Sequence, residues 1–271
     1  MAEQRGPVLV ATDLSPRSDR AVDRALMLGG QWQVETCVLH ALRPEECVAE
    51  DDVRQTLPAD PGNVRILLPA GPAPDTIADV AQDLAPSLIV TGIARFNHLG
   101  DYFLGTAVDH IIRNAAAPVL VVKQRARTPY RRMLVAVDLS VDALRTLRTA
   151  GELFPQVPIE VVHAYHVPFR GWVDSDGMRE ELRCEAGARL DEFLANQALP
   201  AALAARITPR LELGAPDEVL ARAITQFAPD LVVVGSRDRS GLAQATFGSN
   251  TSALLGWIAA DTLVVKKTPE G

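Results

Sequence analysis

The chain has 271 residues, 48% of them hydrophobic and 23% charged, and a formal net charge of -7. This length exceeds what one hydrophobic core usually serves, so two domains are expected. No apolar run approaches the roughly 18 residues that a membrane helix needs, and an acidic chain without a Lys/Arg-rich run argues against nucleic-acid binding. The polar N-terminus leads directly into a strand-like run and leaves no room for a secretory signal, so we expect a cytoplasmic protein. The three cysteines are odd in number and lack CxxC spacing, which argues against a disulfide framework and a zinc ribbon.

Short strand-like runs alternate with helical patterns along the first half of the chain. The predicted strands of that half are Val8–Thr12, Val34–Leu42, Val64–Leu68, Ser87–Gly92 and Pro118–Lys123. Between the third and fourth runs, the i, i+3, i+4, i+7 spacing of an amphipathic helix is kept by Ile77, Val80, Ala81 and Leu84. Continuous apolar strands separated by amphipathic helices indicate an α/β fold with a parallel sheet covered on both faces.

The second half of the chain repeats the first. Residues 71–123 align with residues 214–266 at a constant offset of 143, without a gap and with 15 of 53 positions identical. A further match links VLVATDLS from Val8 with MLVAVDLS from Met133. One compact α/β unit is therefore present twice.

The repeats predict a domain at residues 1–123, a linker at 124–131 and a second domain at 132–271. The linker is polar, contains a proline and lies outside both repeats. The second domain holds 20 more residues between its second and third strands, where Met178–Leu199 carries a helical stripe. The matching stretch of the first domain is acidic and Pro-rich, so we expect the first domain to have lost this crossover helix.

Polar and glycine residues recur where ligands bind in doubly wound folds, at the carboxyl ends of the strands. Strand one of each half ends in Asp and strand four in Gly, and a second Gly followed by Thr or Ser then opens a helix. These residues are Asp13, Gly92, Gly105 and Thr106 in the first half, and Asp138, Gly235, Gly248 and Ser249 in the second. Backbone N–H groups, a hydroxyl and a helix N-terminus together form an anion site, but the same residues are typical of caps and turns. The spacing alone leaves both interpretations open.

These motifs resemble those of the universal stress protein family, present here as a tandem pair over nearly the whole chain. The resemblance rests on the Asp-Leu-Ser that follows strand one, a fourth strand ending V-T-G or V-G-S, nine residues before G-[ST], and the closing LVVK. It implies two repeated doubly wound domains, each a five-stranded parallel sheet of order 3-2-1-4-5 with helices on both faces. It also implies ATP as the ligand, and leaves open whether Mg2+ accompanies it.

Carried over residue by residue, the resemblance implies a nucleotide site in each half. In the second half its residues are Asp138, Ala164, Gly235, Ser236, Arg237, Gly248, Ser249 and Asn250. In the first half they are Asp13, Ala41, Gly92, Gly105 and Thr106.

Both halves depart from the G-x-x-G that ATP-binding members carry before the nine-residue stretch. Arg95 and Asp238 replace the second glycine, which adds a side chain where bare backbone would approach the phosphates. The Asp238 carboxylate would repel phosphate, whereas Arg95 could pair with it. The second half keeps the crossover helix and has Arg237 and Arg239 beside its loop, so we favour the second site.

The sequence therefore predicts a universal stress protein that acts in the stress response, through ligand binding and protein interaction more than through turnover. The ligand would be ATP or another small anion. One alternative is weak ATP hydrolysis or autophosphorylation, with Thr106 or Ser249 as the acceptor. Another is a ligand-free interaction scaffold with vestigial sites.

We assign no catalytic or metal-binding residue. Neither half contains a GxSxG nucleophile turn or a Walker A loop. His163 and His166 would lie on opposite faces of an extended strand, which suits a structural role better than metal ligation.

The last strand of each half is apolar, as in PVLVVK and TLVVKK. In the resembled family such strands pair across a pseudo-twofold axis, so the two halves are expected to pair through them. One chain would then imitate the family's dimer. A homodimer of whole chains and the identity of any protein partner stay open.

Overall fold

The computed structural model describes residues 5–93, 95–98, 101–103, 106–166, 176–236 and 251–266, with side chains left out at 95–98, 101–103, 106–107, 176 and 251–253. Contacts divide the chain into two compact units, Met1–Pro129 with Ser252–Gly271, and Tyr130–Thr251. The repeat pattern assigns the last strand of the chain to the second domain. Its contacts place it in the first unit.

The first unit begins with alternating strands and helices. In chain order they are β1 (Val8–Ala11), α1 (Asp19–Trp32), β2 (Thr36–Leu39), α2 (Glu50–Thr56), β3 (Val64–Leu67), α3 (Ala73–Leu84), β4 (Leu88–Thr91), β5 (Arg95–His98), β6 (Asp101–Phe103), α4 (Thr106–Asn114) and β7 (Val119–Val121). The end of the chain adds α9 (Thr251–Trp257), which starts at the boundary between the units, and β12 (Asp261–Lys266).

The main sheet of the first unit has the strand order predicted for one repeat. β3, β2, β1, β4 and β7 are neighbours in that order and pair in parallel, which is the order 3-2-1-4-5. β12 then pairs with β7 in the antiparallel direction, so the two final strands do pair with each other. The strands are continuously apolar because the sheet is covered: Leu9, Ile89 and Leu120 are fully buried.

The second unit repeats this pattern with longer strands. Its elements are β8 (Met133–Val137), α5 (Val141–Leu153), β9 (Ile159–Tyr165), α6 (Asp176–Leu194), α7 (Ala201–Ala204), β10 (Ile207–Leu213), α8 (Pro216–Phe227) and β11 (Leu231–Ser236). The strands lie in the order β10, β9, β8, β11, and all three neighbouring pairs are parallel. This is the 3-2-1-4 part of the predicted order, so the chain has an α/β fold with a mainly parallel sheet.

Two connections differ from the sequence-based expectation. The first repeat has not lost its crossover helix completely, because the seven-residue α2 remains, with Val53 buried, where the second repeat has the nineteen-residue α6. The stretch after β4, expected to be a loop, contains the antiparallel pair β5 and β6. Aromatic residues, which favour strands, occur in both β5 and β6 and explain why a short hairpin competes with a loop here.

Turns that recur in the two repeats account for several of the shared residues. The C-cap residues that follow helices α3 and α8 are Ala85 and Ala228, which have the left-handed φ values 44° and 47° and are each followed by proline. Gly71 and Gly214, shortly before the same helices, have φ of 142° and 144°, a region that favours glycine. The repeats are thus alike in backbone as well as in sequence.

No helix in the described part of the chain is both long enough and apolar enough to cross a membrane.

Candidate functional site

The Asp-Leu-Ser sequence that follows strand one folds into the same turn in both repeats. Asp13 Oδ1 accepts hydrogen bonds from the backbone N–H of Ser15 at 3.0 Å and from its hydroxyl at 2.6 Å. Asp138 Oδ1 accepts the corresponding bonds from Ser140 at 3.0 and 2.5 Å. The leucine between them is left-handed in both turns, with φ of 58° and 62°. This Asx turn fixes each carboxylate at the carboxyl end of its strand.

The turn also sets the charge of Asp13. Burial alone would raise the pKa of this carboxyl, but the hydrogen bonds from the side chain and backbone of Ser15 outweigh it, and the pKa lies below its usual value. Asp13 is therefore ionised at neutral pH and accepts hydrogen bonds only. A group of this kind binds amines and hydroxyls and repels phosphate.

The register of the strands brings the predicted residues of each repeat to one level. Continuing the paired positions by one to three residues places the strand-one Asp beside the strand-two Ala and within one residue of the strand-four Gly. In the first repeat these residues are Asp13, Ala41 and Gly92, and in the second Asp138, Ala164, Gly235 and Ser236. Neighbouring strands lie about 4.8 Å apart, so one small ligand could contact all three strands.

A cleft of about 180 Å³ lies at this position in the first repeat. Its polar wall includes Thr12, Asp13 and Ser18, and its apolar wall includes Ile77 and Ile111. Pockets that enclose a drug-sized ligand usually measure about 300–1,000 Å³. As bounded by the described residues, the cleft is therefore smaller than a whole nucleotide needs.

The second repeat has a different space beside its Asp turn. A cavity of about 280 Å³ lies between α5 and α6 and is lined in part by Ser140, Arg189 and Phe193. In the first repeat the shorter α2 takes the place of α6 between the second and third strands. At the end of β11, Gly235 approaches α5 closely, because an added Cβ would lie 3.0 Å from Thr146 Oγ1. Helix and strand are thus tightly packed directly behind this site.

Each strand-one end is also held by a histidine that sequence reasoning did not connect with the site. His40 Nδ1 lies 3.0 Å from the carbonyl oxygen of Thr12, and His163 Nδ1 lies 3.0 Å from that of Val137. Since a carbonyl oxygen only accepts, each ring must donate from Nδ1. The pKa of His163 is lowered, chiefly because the ring is buried. The recurrence of a histidine at the same place in both repeats was the signal for this role, and it supports a structural role for His163.

The remaining predicted residues are not all described by the structure. Thr106 begins α4, as expected, and only its backbone is described. Gly105, Arg237, Gly248, Ser249 and Asn250 lie outside the described residues, as do Asp238 and Arg239. Within the described residues no cluster of three His, Cys, Asp or Glu side chains could hold a metal ion.

Two doubly wound α/β repeats, each with an Asp turn at the end of strand one, define a class of tandem α/β proteins with a candidate ligand site in each repeat. A sequence model of the universal stress protein family matches residues 48–123 and 129–266. The chain therefore belongs to the universal stress protein family.

Solved structures give the same fold. A protein of unknown function from Pseudomonas aeruginosa has a TM-score of 0.70 at 19% identity, with 97% of this chain and 93% of that chain covered. A universal stress protein from Archaeoglobus fulgidus has a TM-score of 0.67 at 18% identity, with 98% of this chain and 100% of that chain covered. A search of curated protein sequences found no significant match.

Proposed function

We propose that this protein binds an ATP-like nucleotide, or another small anionic ligand, at the carboxyl ends of strands one and four of its second repeat. The bound ligand alters a surface that partner proteins recognise, in a cytoplasmic stress response. The observation that carries the proposal is the Asp turn, built with the same hydrogen bonds in both repeats at the place where α/β folds bind ligands.

The charge of the strand-one Asp decides how a nucleotide would lie. A carboxylate at the end of strand one accepts hydrogen bonds from a base amine or a ribose hydroxyl and repels phosphate. The base and ribose therefore lie against Asp138 and Ala164, and the phosphates lie toward the far side of the strand-four glycine, Gly235. This orientation directs the phosphates toward the end of β11.

The first repeat has a different role in this proposal. As bounded by the described residues, its cleft of about 180 Å³ is smaller than the pockets that usually enclose a drug-sized ligand, although the same Asp turn is present. This size favours the scaffold hypothesis for the first repeat alone. Asp13 and Asp138 thus become a matched pair of residues with the same local structure and different expected effects on binding.

The test is isothermal titration with ATP, with and without Mg2+, on the wild type, Asp138→Asn and Asp13→Asn. Asparagine can still accept the turn hydrogen bonds through its carbonyl oxygen, so each variant removes the charge and largely keeps the shape. A hydrogen bond to a charged group contributes about 1.5–3 kcal/mol, so Asp138→Asn should weaken binding about tenfold to hundredfold. Asp13→Asn should leave the affinity unchanged.

Two results would overturn the proposal. Absence of binding by the wild type at millimolar ATP would leave the scaffold hypothesis for both repeats. Loss of affinity in Asp13→Asn, with Asp138→Asn unchanged, would move the site to the first repeat. Phosphate release measured on the same samples tests the alternative of weak hydrolysis.

A further inference from the structure

A buried lysine connects the two final strands of the repeats. Lys123 directly follows β7, and its side chain is 1% exposed. Its Nζ donates hydrogen bonds to the carbonyl oxygens of Leu255 at 2.8 Å and Ile258 at 2.5 Å, at the C-terminal end of α9. A hydrogen-bond donor suits this position, because the last carbonyl oxygens of a helix have no intrahelical partner.

A buried carboxylate completes the cluster. Asp261, at the start of β12, is 0% exposed, and its Oδ1 accepts the backbone N–H groups of Lys123 and Gln124, each at 2.8 Å. Its Oδ2 lies 3.4 Å from Arg24 Nε on α1. Arg24 is 4% exposed and also donates to the carbonyl oxygen of Thr128 at 2.9 Å. The cluster therefore fastens β12, β7, α1 and the linker together within the first unit.

The strand register shows that this cluster lies at a symmetric junction. In the β7–β12 pair, Leu120 lies opposite Leu263. Leu263 is the residue that corresponds to Leu120 in the second repeat, at the offset of 143. The two strands thus pair about a pseudo-twofold axis, as in an isologous interface.

The side chains at this junction are not symmetric. The repeat equivalent of Lys123 is Lys266, which also donates from Nζ to a helix-end carbonyl, that of Arg113, but does so at the protein surface. The equivalent of Asp261 is Pro118. The buried lysine with a carboxylate beside it is therefore present on one side only.

Protonation of Lys123 changes the charge balance of the cluster. Among the charged side chains of this region, Asp261 on β12 attracts the Lys123 ammonium, and Arg24 on α1 lies beside Asp261. Arg20, also on α1, donates to the backbone carbonyl oxygen of Lys123 at 2.8 Å. Burial lowers the pKa of Lys123 to about 7, against the opposing attraction of Asp261. Protonated Lys123 adds a positive charge to a buried site that already holds arginine, and neutral Lys123 removes it.

We propose that Lys123, Asp261 and Arg24 form a pH-dependent latch, which holds β12 and the linker onto the first unit tightly above neutral pH and more loosely below it. The neutral amine still donates to both carbonyls, so closing the latch does not require the charge. Opening exposes Lys123 to water, where it takes up a proton readily.

The direction and size of the effect follow from proton linkage. A lysine whose pKa is about 7 when buried and 10.5 when exposed binds more protons in the opened form between these values. Opening is therefore favoured as the pH falls toward 7, and its pH dependence levels off below 7. Between pH 8.5 and 6.5 the opening equilibrium constant should rise about twentyfold.

Hydrogen exchange measured by mass spectrometry tests this proposal on the full chain. Protection of the β12 amides, corrected for the intrinsic exchange rate, should fall about twentyfold between pH 8.5 and 6.5 in the wild type. Lys123→Met should show almost no such change. Lys266→Met is the matched control, since it removes the equivalent lysine at the surface, and it should behave like the wild type.

A second variant keeps the test decisive if Lys123→Met does not fold. Asp261→Asn removes the attraction that holds the proton on Lys123, so the pH dependence should extend to lower pH and exceed twentyfold over the same interval. Three results would overturn the proposal. The first is β12 amide protection that does not depend on pH in the wild type, and the second is the same pH dependence in Lys123→Met. The third is exchange of the β12 amides only when the β1 amides exchange as well. The last result would mean that the strand opens only when the whole unit unfolds.

Discussion

Asp261→Ala should be one of the most destabilising single substitutions in the first unit. It removes the acceptor of two backbone N–H groups, those of Lys123 and Gln124, and a carboxylate oxygen 3.4 Å from buried Arg24. Leaving a buried donor without a partner costs about 1–3 kcal/mol, and breaking a buried ion pair costs about 3–5 kcal/mol. These effects overlap, so the expected loss is about 4 kcal/mol.

Asp230→Ala is the matched control for this substitution. Asp230 Oδ2 also accepts two consecutive backbone N–H groups, from Arg131 at 2.8 Å and Arg132 at 3.0 Å, but it does so at the protein surface. Water can replace these bonds, so the expected loss is about 1 kcal/mol or less. The comparison separates the effect of burial from the effect of the hydrogen bonds themselves.

The assay is urea denaturation at pH 8, where Lys123 is mostly neutral and its titration does not confuse the result. Because Asp261 lies in the first unit and Asp230 in the second, unfolding is followed by far-UV circular dichroism, which reports the helices and strands of both units. In a thermal melt, a loss of about 4 kcal/mol corresponds to a shift of roughly 10 °C for a unit of this size. Losses within 1 kcal/mol of each other in Asp261→Ala and Asp230→Ala would refute the burial argument.

The remaining predictions concern packing, titration and reactivity. Gly235→Ala places a methyl group 3.0 Å from Thr146 Oγ1, whereas the methyl of Gly92→Ala meets its nearest atom at 3.6 Å. In urea denaturation the first should cost about 1–2 kcal/mol and the second much less; equal losses would contradict this packing argument. Burial keeps the pKa of His163 below 6.5, so the free energy of unfolding should fall as the pH drops below that value. His163→Gln should weaken this decline, and a variant with the same pH profile as the wild type would contradict the prediction. Burial also raises the pKa of Cys37 to about 11, so a thiol reagent at pH 8 should modify the exposed Cys47 and Cys184 before Cys37. Intact-mass analysis measures the three modification rates, and equal rates would contradict this prediction.

Much of the fold could be predicted because each local pattern occurs twice in the chain and the two copies can be compared. The strands at Val8 and Met133 share apolar cores and the same Asp turn, so agreement between the halves strengthens either assignment. The order 3-2-1-4-5 came from the family resemblance, and the strand pairs of the first unit confirm it.

The parts that were missed depend on short elements and on long-range contacts. The α2 helix has a single buried apolar residue, Val53, in an acidic Pro-rich stretch, and this is too weak a pattern to predict a helix. The carbonyl oxygens of Leu255 and Ile258, which accept from the Lys123 amine, are more than 130 residues away in the chain, so no local pattern indicates that this lysine is buried.

The candidate site was predictable for a similar reason and to a similar extent. Asp138 follows from the end of strand one, which local sequence indicates well, whereas Ala164 was named only because of the family resemblance. The role of His40 and His163 depends on a side chain that reaches the neighbouring strand, and this direction is not visible in a linear pattern.

The pairing of Leu120 with its own repeat equivalent has a consequence for how this junction can change in evolution. In a dimer of identical chains, every substitution near the axis appears twice, so one side cannot differ from the other. Two such copies fused in one chain are free of that restriction, and each position near the axis can mutate independently. A single carboxylate, opposite a proline at the equivalent position, can exist at this junction only because both copies belong to one gene.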